Sequence, residues 1–189
     1  MSTPRIFDYA LLDVFAERPL EGNQLAVITD ARGLTTEQMQ AIARETNLSE
    51  TTFILPRDPE IEVREGVKVR IFTVAEEQRF AGHPTLGTAS WLWMNHPSLR
   101  EAEEITLDLP VGPIPVRFTP SPERPGVFAT MRQQNPVFGS LHEPAAVAKA
   151  LGLSLDDLDL SLPIQTVSTG MAFCIVPLRS LTSAGRLRV

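Results

Sequence analysis

The chain has 189 residues, 43% of them hydrophobic, which allows one ordinary domain or two small ones around a sizeable core. Lys and Arg number 17 against 23 Asp and Glu, a net charge of −6 with the acidic residues scattered, which argues against nucleic acid or an anionic membrane as a partner. No signal peptide and no uninterrupted apolar stretch of membrane-spanning length is legible, so the expectation is a soluble, cytoplasmic protein.

Residues 6–15 (IFDYALLDVF) are apolar and aromatic and run into a loop containing Pro19 and Gly22. Residues 24–29 read as a second strand, antiparallel to the first. Asn23, at the base of the loop, reads on its own as a residue taking a left-handed conformation. Thr35 and Gln38 have the spacing of a capping box, and Met39, Ile42 and Ala43 recur at helical intervals. A helix from Thr36 to about Thr46, ended by Asn47, is expected. Residues 48–55 (LSETTFIL) are β-branched and apolar and read as a largely buried strand, with Glu50 just inside it. Taken alone, Glu50 is a solvated residue at a helix-to-strand corner. Residues 67–73 alternate as a strand with one wet face.

Residues 79–94 (RFAGHPTLGTASWLWM) read as a turn opening into a helix, with Pro84 at its first position. The helix is apolar or small on every side, so it belongs inside, wrapped by other elements. Its start presents free backbone N–H groups and a positive dipole end from a buried place, a ready site for an anion. His83 sits there. Strands are expected at 105–109 and 111–118, and the Pro-rich run 120–126 reads as a linker between domains at 1–119 and 127–189. Beyond it come a strand at 127–132, a helix at 143–151 ended by Gly152, and strands at 163–169 and 171–177 joined through Gly170. Cys174, the single cysteine, lies in the apolar run 172–176 and reads as a buried structural thiol. Residues 179–189 show no turn, cap or closing strand. The 63 residues past the linker make a thin second domain.

His83, His96 and His142 lack metal-ligand spacing, so no metal site is expected. No G-x-S-x-G motif occurs, Ser49 has no evident base beside it, and Gly82 with Gly87 forms neither a Walker nor a dinucleotide fingerprint. A carboxylate, a histidine and a helix start remain. Such a set suits proton transfer next to a carbon bearing a carboxylate, the helix start holding the substrate's carboxylate while Glu50 and His83 move protons. His83 alone reads equally as a histidine hydrogen-bonded near a helix start, and that position favours the neutral ring.

Three blocks carry a family resemblance: FDYALLDVFAERPLEGNQLAV (7–27), QMQAIARETNLSETTFIL (38–55) and VRIFTVAEEQRFAGHPTLGTA (69–89). With weaker similarity at 170–177, the chain resembles the phenazine-biosynthesis PhzF-like family, relatives of diaminopimelate epimerase. The resemblance implies an α+β fold of two pseudo-symmetric domains, each a strongly curved mixed sheet wrapped around a central helix, with the active site between them. The family's catalytic glutamate falls on Glu50, and its histidine and glycine at the helix start fall on His83 and Gly82. Asn23 and Ser49 are weaker supporting candidates for binding substrate. The implied chemistry is cofactor-free isomerisation of a small carboxylate-bearing metabolite by acid–base proton transfer. Epimerase relatives use two cysteines, which this sequence lacks near Gly82 and His83. Family members continue into a D-x-A-T-G-S motif absent here, so the expectation is an incomplete second domain and half an active site. The alternative is a truncated, non-catalytic relative that acts as a homodimer or with a partner.

Overall fold

The computed structural model of the protein describes residues 5–119 and 127–188. Contacts divide the chain into a larger unit, Met1–Gln133, and a smaller one, Gln134–Val189. The larger unit opens with β1 (Tyr9–Val14) and β2 (Asn23–Ile28), the expected antiparallel pair. Left-handed backbone in the loop falls on Phe15 (φ 62°) and Leu20 (φ 69°), not on Asn23. Asn23 begins β2 opposite Val14, and a ladder position demands extended backbone.

Helix α1 (Thr36–Thr46) keeps its predicted limits. The Thr35 hydroxyl accepts from the Gln38 N–H at 3.3 Å and the Gln38 side chain accepts from the Thr35 N–H at 2.9 Å, so the capping box satisfies two N–H groups at the helix start. At the other end Asn47 turns left-handed (φ 52°, ψ 35°) and stops the helix. Strand β3 (Thr51–Ile54) then pairs parallel with β2 and antiparallel with β4 (Val67–Phe72). All four β3 residues are buried because this part of the sheet is covered on both faces. Phe53 packs with Ile28, Met39, Ala43 and Phe72 under α1, and Ile54 joins the core on the opposite face. A strand covered twice loses the alternation of a half-wet one.

Helix α2 (Pro59–Glu65), unforeseen from the sequence, has no buried residue. Polar contacts hold it: Arg57 reaches Glu65 at 3.1 Å, Asp108 at 3.0 Å and the Gly66 carbonyl at 2.7 Å. Strand β5 (Glu77–Gln78) pairs with β4 and leads into α3 (Gly82–Asn95). Strands β6 (Glu104–Leu109), β7 (Gly112–Thr119) and β8 (Phe128–Met131) complete a mixed sheet ordered β1-β2-β3-β4-β6-β7-β8. The expected linker at 120–126 lies outside the described residues. Phe128–Met131, placed by the sequence reading beyond that linker, pairs with β7 and so continues the larger unit's sheet.

That sheet curls around α3, which touches β1, β2, β3, β6 and β8. Ala89 and Leu92 pack among Leu25, Val27, Ile71, Leu107 and Ile114. A Cβ on Gly87 would come within 2.6 Å of Leu25 Cδ2 and 2.7 Å of Val14 Cγ2, so glycine is what lets α3 lie this close to the β1–β2 pair. The helix begins earlier than expected, at Gly82, which moves Pro84 from the first to the third helical position. Its missing N–H still costs nothing there, because the first-turn donors have no partner within the helix.

The smaller unit contains β9 (Val137–Leu141), α4 (Pro144–Ala150), a 3-10 turn (Leu155–Asp157), β10 (Gln165–Ser168), β11 (Ala172–Ile175) and α5 (Leu181–Ala184). The three strands form an antiparallel sheet with β10 in the centre, and a small core gathers Ala148, Leu158 and Ile164. Two expectations fail here. Cys174 is exposed, because β11 is an edge strand whose residues are uncovered among the described residues. The tail is also capped: Ser180 accepts the Ser183 N–H at 3.1 Å, and buried Asp157 accepts from Ser183 Oγ at 3.0 Å and Arg186 at 2.9 Å. The Ser180 cap is a local signal that went unread, whereas its anchor, Asp157, is more than twenty residues upstream and had no local signal. No helix among the described residues is long and apolar enough to cross a membrane.

Candidate active site

The left-handed turn at Asn47 sends the chain from α1 directly into β3, leaving Glu50 as the last residue before the strand. From the other direction the turn after β5 delivers His83 to the first turn of α3. The curled sheet brings the two together. Glu50 Oε2 lies 3.6 Å from His83 Nδ1, with side-chain exposures of 19% and 7%. Among the described residues neither Glu50 Oε2 nor His83 Nε2, both buried, has a hydrogen-bond partner. Asn23, at the start of β2, places its amide Nδ2 3.2 Å from His83 Nδ1. An amide N–H can only donate, so in this arrangement Nδ1 accepts and the ring proton resides on Nε2. Burial holds the imidazole pKa below its ordinary value, opposed more weakly by the Glu50 carboxylate and the main chain of Gln24. A neutral, proton-accepting ring thus faces a carboxyl oxygen with no other claim on it.

The start of α3 adds a third ingredient. Its N-cap, Ala81, supplies no side-chain acceptor, and no acidic residue occupies the first turn. The positive end of the helix dipole and its free N–H groups therefore lie beside the pair. Gly82 opens this turn, and a Cβ there would meet only the end of Met131, at 3.4 Å. Crowding therefore does not require glycine at 82, in contrast to Gly87. Ser49 is exposed and makes no hydrogen bond among the described residues. Of the five residues singled out by sequence, the structure joins Asn23, Glu50 and His83 by contact, sets Gly82 next to His83 in the chain, and leaves Ser49 at the margin. The open concavity between α1 and the β4–β5 hairpin, lined by Gln40, Arg44, Phe72 and Glu76 among others, contains none of these residues.

Sequence reasoning missed a hydroxyl pair behind the site. Thr52 Oγ1 and Thr88 Oγ1 are 2.8 Å apart and both residues are fully buried. The signal was present, since threonines in an otherwise apolar, wrapped helix must find partners.

The phenazine biosynthesis-like protein family (PhzC–PhzF) matches residues 12–189 of the chain. The chain belongs to the PhzF-like family. It is 38% identical over 183 residues to trans-2,3-dihydro-3-hydroxyanthranilate isomerase of Pseudomonas chlororaphis, covering 95% of this chain and 60% of that protein. The solved structure of a predicted epimerase from Pseudomonas aeruginosa superposes with a TM-score of 0.80 at 38% identity, covering 95% of this chain and 62% of that one. A probable proline racemase from Agrobacterium radiobacter, at 13% identity and a TM-score of 0.57 over 94% of this chain and 53% of its own, shares the fold alone. The expected epimerase-like α+β fold is therefore the fold this PhzF-like chain adopts. The chain spans about three fifths of the length of the curated relatives it matches.

Proposed function

We propose that this chain supplies the Glu50 side of an isomerase site, moving a proton on a small metabolite that carries a carboxylate. One observation carries the reading: a half-buried carboxyl and a neutral imidazole, 3.6 Å apart, at the uncapped start of a buried helix. The free N–H groups of α3 bind the substrate carboxylate, with Gly82 leaving room above the first turn. Glu50 takes a proton from a carbon conjugated with that carboxylate. The electron pair of the broken C–H bond passes through the double bond toward the carboxylate, where the helix start offsets the charge. A proton returned to a different carbon of the conjugated system forms the new C–H bond and leaves the double bond displaced. One C–H is lost and one gained, so the step needs no oxidant or reductant. Asn23 holds the resting ring through Nδ1, and His83 accepts or returns the proton at that atom when the proton displaces the Asn23 amide. An unsaturated ring bearing a carboxylate, as in the substrate for which the Pseudomonas relative is named, is the class proposed.

Deuterium uptake from D₂O into trans-2,3-dihydro-3-hydroxyanthranilate tests this, using the chain and its Glu50→Gln variant. A positioned acid–base group is worth about 10²–10⁴ in rate, so E50Q should lose at least about a hundredfold. Its urea midpoint should stay unchanged. Equal uptake by the two proteins, or none by the unsubstituted chain, would sink the assignment.

A further inference from the structure

Glu50 and His83 belong to different elements, 33 positions apart in sequence, and 3.6 Å of separation leaves little tolerance for sliding between them. Apolar packing is non-directional and would not by itself fix such a distance. A directional contact lies directly behind the pair. Thr52, two residues beyond Glu50 on β3, and Thr88, five beyond His83 on α3, bond hydroxyl to hydroxyl at 2.8 Å. Both are 0% exposed and lie in the apolar layer shared by the sheet and the helix. Thr51, facing the other side of the sheet, makes a second hydroxyl bond, at 2.7 Å, to Thr46 in the last turn of α1. The residue after Glu50 is thus tied to the helix before it, and the one after that to the helix carrying His83.

We propose that the Thr52–Thr88 hydroxyl pair is a positioning device that sets α3 against β3 and so fixes the Glu50-to-His83 distance. It rests on the acid–base reading above and extends it to two residues that touch no substrate. A fully buried hydroxyl is costly unless bonded, so each threonine demands the other at one relative placement of strand and helix. Two valines of the same shape would fill the same space but accept a range of placements. A pair serving stability alone would not need hydroxyls, because replacing both partners of a buried bond by apolar groups of equal shape is nearly neutral.

The double variant T52V/T88V separates the two roles. Its unfolding midpoint should match that of the unsubstituted chain. The readout is the pKa of His83, followed by NMR with and without Glu50→Gln, which reports the carboxyl-to-ring coupling without needing turnover. In the unsubstituted chain E50Q should lower the His83 pKa; in T52V/T88V that lowering should shrink by half or more. T52S/T88S, which keeps both hydroxyls, should restore it. An unchanged E50Q effect in the valine background would overturn the proposal. So would loss of the fold in T52V/T88V, since the pair would then be holding the core together. Failure of E50Q to slow deuterium uptake would instead refute the acid–base reading, and the two results are independent.

Discussion

Strands β3 and β11 are both four residues long and similarly apolar, Thr-Thr-Phe-Ile and Ala-Phe-Cys-Ile, yet every residue of the first is buried and every residue of the second is exposed. Composition does not distinguish them; cover does. β3 has β2 on one side, β4 on the other, α1 beneath and α3 above. β11 pairs with β10 alone among the described residues, and Phe173 and Ile175 are at least half exposed. A chemical group needing a fixed, dry environment can therefore be built at the start of β3. Nothing comparable is available along β11, which is why the one cysteine placed there is not the inert core thiol that its neighbours in sequence suggest.

The contrast breaks first under truncation of large side chains. Leu92→Ala, in the middle of α3, removes a fully buried side chain from a doubly wrapped helix, and should cost about 2–5 kcal/mol. Phe173→Ala, on β11, should stay within about 0.5 kcal/mol, as surface substitutions do. Tryptophan fluorescence reads the former, since both tryptophans lie on α3, and amide exchange along β10 reads the latter. A comparable loss in both would mean that the faces of β11 are covered in solution.

A finer comparison lies within α3 itself, between its two glycines. Gly87→Ala gains roughly 1 kcal/mol of helix propensity but drives a methyl into Leu25 and Val14, where overpacking costs about 1–3 kcal/mol. Both neighbours are held in the core, so a net loss of up to about 2 kcal/mol is expected from urea unfolding. Gly82→Ala meets only the flexible end of Met131 and should unfold like the unsubstituted chain. If G82A is the more destabilised of the two, the start of α3 is tighter than the structure has it, and Gly82 is a packing residue rather than room for substrate.

What the sequence made legible follows the same division. α1 could be read to the residue because its signals are local: Thr35 with Gln38 at one end, Asn47 at the other. α3 could be read because a helix apolar on all sides has few destinations. α2 was invisible, since it buries nothing and offers no periodic stripe, its hold on the fold being the ion pairs of Arg57. β9 was missed for a related reason, all five of its residues being exposed. Within the site, residue types at Glu50 and His83 suggested proton transfer, but their approach depends on how a sheet curls over 33 residues of chain. The local reading of Asn23 as a left-handed turn residue failed, and its place at the site is non-local, its amide reaching His83 from β2. For Thr52 and Thr88 the need for a partner was legible in the sequence, but not which residue would meet it, because pairing partners are set by the fold.

The smallest expected effect is the most informative about the pair. Burial disfavours the charged ring, so His83 binds a proton less readily in the folded chain than in the unfolded one, where its pKa is about 6.5. The sign follows from linkage: above about pH 6.5 the group contributes no pH dependence. As pH falls below that value the unfolded state takes up a proton first, and stability declines until the folded-state pKa is passed. Subtracting the urea midpoints of His83→Gln from those of the unsubstituted chain between pH 7.5 and 5 should isolate this limb, flat at the top and falling toward acid. Glu50→Gln removes the nearby carboxylate that opposes burial, so it should lower the His83 pKa further and extend the falling limb to lower pH. A difference curve that rises toward acid would reverse the ranking of the two influences. Glu50 would then outweigh burial, the folded chain would hold the ring proton more tightly than the unfolded one, and His83 would suit the role of proton donor better than that of acceptor.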